Sequence, residues 1–382
     1  MDEKEIMETL KISIDLLDWA AGQVGKTLED VASVIASGKG IDQILAGNLT
    51  VRQLEKYAHV TQTPFGYLLL EAPPSIAKPK LPDMRQVASA DPLGPDFFAV
   101  LEDVIEKQNW YLDYLNDIGA DPLPFIGKFD LSADAESVAS DIAISAGIDQ
   151  GLKKSCATQA EYFRALSERF EAIGILVFKN SIVKSNSKRG LSVSEFRGFA
   201  ICDDYAPAVF INGKDAEAAW IFTLAHEVAH LWLGESGVSD IPSPRDFSPG
   251  RNVESFCNSV AAELLVPVSE FLSLWKENES DSIDRASRHF KVSKLVVGRR
   301  AYELGKISKE QYSKLYALSY KAGGSGGNPY ATIPVRNSKK VTNALVKSAM
   351  EGSILMRDAA RLLNITPNTV TNLYKKNIRS HA

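Results

Sequence analysis

The spacing of apolar residues changes rhythm several times along the chain, and each change marks a structural boundary. Residues 1 to about 75 read as short helices. Ile14, Leu17, Trp19 and Ala20 form a first apolar face, and Thr27 caps a second segment with Asp30 at the capping-box position. Ile41–Gly47 and Thr50–Ala58 follow. Four or five short helices with tight turns suit a helix-turn-helix bundle of the bacterial repressor type, and an all-helical interaction domain is the competing reading. The stretch placed to read DNA, residues 37–47, has little basic or amide character beyond Lys39 and Gln43.

Ala72-Pro73-Pro74 through Leu81-Pro82 is proline-rich and reads as a linker, and Phe97 to Ile118 predicts one long amphipathic helix. Together these make a connecting region, residues 76–130. Helices at roughly 134–147 and 158–172 open the next domain, 131–322. Within it, residues 173–178, 196–201 and 208–212 are three strand-like runs bounded by turn residues. Asp215 is placed at the start of a helix that is apolar almost all round. Residues 236–250 read as a polar loop, and Pro267 stops the helix that follows. The fold class is therefore α+β, predominantly helical, with a small antiparallel or mixed sheet. One sheet edge is expected beside a cleft, where an extended peptide can add as a strand. Gly323–Gly327 breaks the chain before a basic C-terminal domain, 328–382.

Composition narrows the class. A 45% hydrophobic and 24% charged content is that of a globular protein, and a formal net charge of -5 confines any nucleic-acid binding to a local basic surface. No apolar run approaches 18 residues, so no membrane span is expected. The acidic N-terminus lacks the apolar core of a signal peptide. Cys156, Cys202 and Cys257 are odd in number and widely spaced, which fits buried thiols in a reducing cytoplasm.

The chemistry concentrates in Thr223–Gly234, which contains His-Glu-x-x-His. Residues four apart share a helix face, so His226 and His230 can direct a ring nitrogen each to one ion, with Glu227 projecting from nearly the same side. Buried polar groups need partners, and a metal supplies one. A catalytic zinc usually takes three protein ligands and keeps one open position. Glu254, on the following helix, is the best third ligand. Cys257 is a minor alternative, and Glu263, on another face of that helix, ranks lower. His59 and His289 lack partners at helical spacing and are not expected to be ligands. Asn258, one turn after Glu254, can accept a hydrogen bond from the distal N–H of a ligand histidine. Glu227 is placed as general base in water-mediated peptide hydrolysis, and Tyr205, between two strands, is a candidate to stabilise the oxyanion.

A second helix-turn-helix candidate spans Arg357–Leu373, with Asn364 suited to a left-handed turn. Arg357, Asn368, Thr369, Asn372, Lys375 and Lys376 are its candidate contacts to double-stranded DNA. A structural cap on the preceding domain is the alternative.

With these residues in view, the chain resembles the ImmA/IrrE family of zinc metallopeptidases, in particular long members with an N-terminal Xre-type helix-turn-helix. The resemblance rests on Thr50–Ala58 with Ala72-Pro73-Pro74, on Gly190-Leu191, on Glu195–Ala200 and on Phe222–Leu231. It continues through Glu254, Asn258 and Ala261–Pro267. Two departures are Cys257, where alanine is usual, and residues 41–47, where the tryptophan-containing segment is weak. The resemblance implies a zincin-like core flanked by helix-turn-helix domains, with Zn2+ held by His226, His230 and Glu254 and Glu227 as base. It also implies a regulatory role: cleavage of an Xre-type repressor, or pairing with a small toxin protein.

Overall fold

A computed structural model describes residues 9–61, 63–74, 81, 93–239, 252–276, 281–319 and 329–380. Most of the proline-rich linker, the segment 240–251 and Gly323–Gly327 lie outside the described residues. The chain divides into two compact units, residues up to 79 with 93–98, and residues 80–92 with 99 onward.

The first unit packs β1 (Thr9–Lys11), α1 (Ile14–Gly22), α2 (Leu28–Ile35), α3 (Lys39–Leu45), β2 (Asn48–Thr50) and α4 (Val51–Thr61) with a 3-10 turn at Phe65–Leu69. Leu17, Val31, Ile44, Leu54, Tyr57 and Leu68 form its core. Thr27 and Asp30 complete the capping box at α2, each side chain bonding the other's backbone N–H. The two strands were not anticipated from the sequence. They pair antiparallel with Leu10 opposite Leu49, and Ile12 N–H donates to Gly47 O at 2.8 Å. Gly47 sits at φ 76°, and a Cβ there would lie 2.4 Å from Ile12 O, so the turn into β2 requires glycine. The exposed positions of α3 include Lys39, Asp42 and Gln43, a mixed and nearly neutral set.

The second unit begins within α5 (Pro95–Asp117) and continues through α6 (Ala135–Ala146), α7 (Gln150–Ser155), α8 (Gln159–Ala172), β3 (Leu176–Asn180), β4 (Gly198–Ile201) and β5 (Ala208–Asn212). Next come α9 (Glu217–Leu233), β6 (Gly237–Ser239), α10 (Val253–Leu265), α11 (Val268–Leu274), α12 (Ser282–Phe290), α13 (Lys294–Glu303) and α14 (Lys309–Ser319). The chain closes with α15 (Pro329–Arg336), α16 (Lys339–Glu351), α17 (Met356–Leu362) and α18 (Pro367–Ser380). No single described helix is long and apolar enough to cross a membrane. The fold is α+β and predominantly helical.

The sheet has the order β3-β5-β4-β6, with β3 parallel to β5 and the other pairs antiparallel. Alternation sorts its residues: Phe199 stacks on Phe210 on one face, while Val177, Ala200, Val209 and Ile211 join the core with α9 on the other. Pairing in β3 starts only at Leu176, because Ile173 ends α8 and Gly174 turns the chain at φ 114°. The segment expected to be wholly loop contains β6, which pairs with β4 through Gly198↔Ser239, Phe199↔Val238 and Ala200↔Gly237. The edge of β4 is thus already occupied, and the outer strands are β3 and β6. A run of three residues is too short to show a period, which is why the sequence did not reveal it.

Asp215 does not start α9. It accepts a bond from Ala216 N and ion-pairs with Arg197, and the helix begins at Glu217. The C-terminal helices join the same unit. Asn364 takes the left-handed conformation, φ 55°, between α17 and α18, and its side chain donates to Asp103 of α5 at 2.8 Å. Glu171 of α8 accepts from Ser338 Oγ at 2.5 Å and from Lys339 N at 2.7 Å, satisfying the start of α16.

Candidate metal centre

Helix α9 is buried from Ile221 to Trp232. Its position is fixed at both ends of the site. At its C-terminus Gly234 turns left-handed against Gly127, Gly127 and Phe129 donate to the carbonyls of Leu231 and Trp232, and Phe125 stacks on Trp232. The Trp232 indole donates to Asp141 of α6 at 2.8 Å. At the middle of the helix, α9 rests on β4.

Packing of α10 against α9 inserts Glu254 beside the two imidazoles. His226 Nε2 and His230 Nε2 are 3.1 Å apart. Glu254 Oε2 is 3.2 Å from His226 Nε2, and Oε1 is 3.1 Å from His230 Nε2. All three residues are at most 4% exposed, so this is a desolvated triangle of donors. For ligand bonds of about 2.0–2.1 Å, neighbouring corners of a tetrahedron lie about 3.3 Å apart. The triangle therefore has the size of one face of a zinc coordination sphere. Each oxygen of Glu254 thus faces one ring nitrogen, as a carboxylate sharing an ion with both imidazoles would. His226 Nδ1 is buried without a hydrogen bond among the described residues. The group can bind a metal ion.

Electrostatics match this chemistry. Burial works to raise the Glu254 carboxyl, while attraction to the neighbouring His226 and His230 rings lowers it on balance, so it is held as a carboxylate. Burial lowers the His230 ring, opposed by its contact with Glu254, which favours the unprotonated imidazole that a metal ligand must be.

Glu227 is fully buried on the same helix, and its carboxylate lies over Gly198 of β4. A Cβ at Gly198 would fall 2.6 Å from Glu227 Oε1, 2.7 Å from Thr223 Cγ2 and 2.9 Å from the backbone oxygen of Phe210. Gly198 thus permits the helix–sheet approach that seats Glu227. It was not singled out as a site residue from sequence, although a glycine inside a strand-like run is a signal of close backbone approach.

The other candidates are not members of this cluster. Asn258 is buried on α10, one turn beyond Glu254, but its Oδ1 accepts no hydrogen bond among the described residues. Tyr205 lies in the β4–β5 loop, at the end of β4 away from Gly198, and no described polar contact joins it to the cluster. Cys257 is buried and its thiol is pushed well up by burial; it is outside the donor cluster. Cys202, also outside it, touches the His230 carbonyl with Sγ at 3.7 Å. His289 pairs with Glu270, and His59 is exposed on α4.

Glu263 has a different task. Its oxygens accept from Val268 N at 3.1 Å and Arg300 Nη2 at 2.9 Å, tying α10 to α11 and α13. Glu263→Ala leaves buried Arg300 with only its longer contact to Glu303, at 3.7 Å, and is expected to destabilise the protein by about 2 kcal/mol with metal content unchanged. Glu254→Ala is expected to abolish stoichiometric metal. Elemental analysis with thermal denaturation of both variants checks this pair.

In the C-terminal helices, Asn368, Lys375 and Lys376 are exposed on α18 and Asn372 is half-buried. Thr369 shares a hydroxyl contact with Thr366 at 2.9 Å. Arg357 is 79% exposed beside Asp358, and Arg361 pairs with Glu106.

Two comparisons with family models bear on this arrangement. Residues 170–302 match Peptidase_M78, described as the IrrE N-terminal-like domain. This peptidase-like match covers about a third of the chain and contains β3 through α13, with every residue of the metal-binding group. Residues 337–376, from α16 into α18, match a domain of unknown function (DUF8813). No curated protein and no solved structure matched the chain. The segment 170–302 is therefore similar to a metallopeptidase-like domain of the ImmA/IrrE kind, and it carries a buried group able to hold a metal.

Proposed function

We propose that the chain is a zinc-dependent endopeptidase of narrow specificity that regulates by cutting a partner protein, an Xre-type repressor being the expected class. The observation that carries this reading is the buried triangle of His226, His230 and Glu254, with Glu227 seated on the same helix over Gly198.

His226 and His230 would each supply Nε2, and Glu254 its carboxylate. A zinc ion, when bound by them, would supply a Lewis acid able to polarise a peptide carbonyl and to bring the pKa of a bound water to about 7. Glu227 would accept the proton of the attacking water and pass it to the leaving amine, a role needing an ionisable group in a dry, fixed position. Its placement against a glycine in the sheet restricts where its carboxylate can move. Burial of the whole cluster excludes bulk water and strengthens each charge interaction.

The test uses the full chain carrying Glu227→Gln as a trap, co-purified from the cells that encode it. A single captured protein that gains a new N-terminus on incubation with the wild-type chain, and none with the variant, supports the proposal. A captured protein left intact by the wild type refutes it.

A second reading, DNA-binding regulation or toxin pairing, draws on α18, where Asn368, Asn372, Lys375 and Lys376 recur at helical spacing. If that face meets phosphates, Lys375→Ala with Lys376→Ala lowers DNA affinity and reduces the salt slope by about two, in mobility-shift titrations over a range of salt. An unchanged slope excludes it.

A further inference from the structure

The far edge of the sheet, remote from β6, holds a feature that the peptidase reading does not use. A cavity of about 220 Å³ lies between α8, β3, α9 and the C-terminal α15 and α16. Its walls are mainly apolar: Phe163, Val177, Trp220 and Pro334. Lys179 of β3 enters it from the sheet, because strand alternation puts it on the same face as Val177.

Lys179 is in an unusual position for a lysine. Its ammonium lies 3.4 Å from the centre of the Trp220 ring and 4.6 Å from that of Phe163. No carboxylate is ion-paired with it among the described residues; Glu217 acts on it only through space. Burial lowers it to about 8. A cation held against two rings gains some cation–π energy, but a desolvated ammonium without an anion is costly. The acids on the same wall are already engaged. Glu168 pairs with Lys339, and Glu171 accepts from Ser338 and Lys339. Arg164, at the exposed rim, has no ion pair among the described residues. The Trp220 indole N–H is buried without an acceptor among them. The cavity therefore combines apolar, aromatic walls with a lysine and an arginine that have no ion pair among the described residues.

We propose that this cavity is a binding site for a small organic anion, a carboxylate on a flat apolar body, held by Lys179 against Phe163 and Trp220. A cavity of about 220 Å³ is large enough for a fragment-sized ligand. Trp220 belongs to α9, six residues ahead of His226, and Pro334 to α15. The ligand would therefore bridge the metal-binding helix and the C-terminal helices. This inference does not depend on peptidase activity.

Titration calorimetry of the full-length protein at fixed ionic strength, with benzoate and its neutral analogue benzamide, tests it. Benzoate is expected to bind saturably at one site, with benzamide at least about tenfold weaker, a difference of about 1.4 kcal/mol for one charge interaction. Lys179→Met should reduce benzoate to the benzamide level, and Arg164→Ala should weaken it less. Should Lys179→Met fail to fold, Ala160→Trp fills the cavity from its rim and should abolish binding while leaving Lys179 in place. Equal binding of benzoate and benzamide, no saturable binding of benzoate, or benzoate affinity unchanged in the folded Lys179→Met or Ala160→Trp protein would overturn the proposal.

Discussion

Glu227→Gln is expected to reduce cleavage of the trapped partner about 10³-fold while zinc content stays at one ion per chain, because a general base contributes on the order of 10²–10⁴. Glutamine has the same shape as glutamate, so the close approach to Gly198 is kept and no cavity opens. On the proposed reading the loss falls on kcat, since Glu227 would serve as the general base and is not a member of the donor triangle. Single-turnover cleavage and elemental analysis of the same sample separate the two effects. Retained activity with retained metal would remove Glu227 from the mechanism. Loss of metal would show that its carboxylate holds the ion.

Gly198→Ala is the second large effect, and it comes from packing. The added methyl would meet three atoms below 3.0 Å. Glu227 Oε1 is the tip of a side chain and can yield; Phe210 O is backbone of the paired strand and cannot. Either α9 lifts from the sheet or Glu227 turns away. Overpacking of this kind costs about 1–3 kcal/mol, which for a unit of this size lowers Tm by several degrees. A shift of Glu227 by as little as about 1 Å can cost a hundredfold in rate. The variant should thus retain zinc, melt earlier and cut slowly. Adding Thr223→Ala removes one of the three clashes and should restore part of the stability without restoring the rate, a coupling that a double-mutant cycle measures. Gly22→Ala is the control: nothing lies within 4 Å of the place its methyl would occupy, and its effect should be small. A Gly198→Ala protein with wild-type Tm and rate would show that α9 does not depend on this contact.

These two variants separate what is local from what is not. His226, Glu227 and His230 were legible because helical spacing is a property of five consecutive residues. The Thr27–Asp30 capping box and the left-handed Asn364 were legible for the same reason, each being set by its own side chain and immediate neighbours. Glu254 lay at the boundary: its residue type and helix could be read, but its convergence with the histidines depends on how α10 packs on α9. Gly198 was not legible as a site residue, since its importance comes from atoms 12 to 29 positions away in sequence. The strand β6 was missed because three residues gain their conformation from pairing with β4 and carry no period of their own. The same holds for β1 and β2 in the first unit, fixed by pairing and by the turn at Gly47.

By itself the sequence determined the helical class, the metal-binding motif on an apolar helix and the local caps, because periodicity and capping act over a few residues. Only the tertiary structure decided which carboxylate closes the donor triangle, that Glu227 rests on Gly198, that the edge of β4 is already taken, and that Lys179 lies against two rings with no ion pair among the described residues. Those outcomes depend on distances between segments far apart in the chain, which the packing of α8, α9 and α10 on the sheet sets.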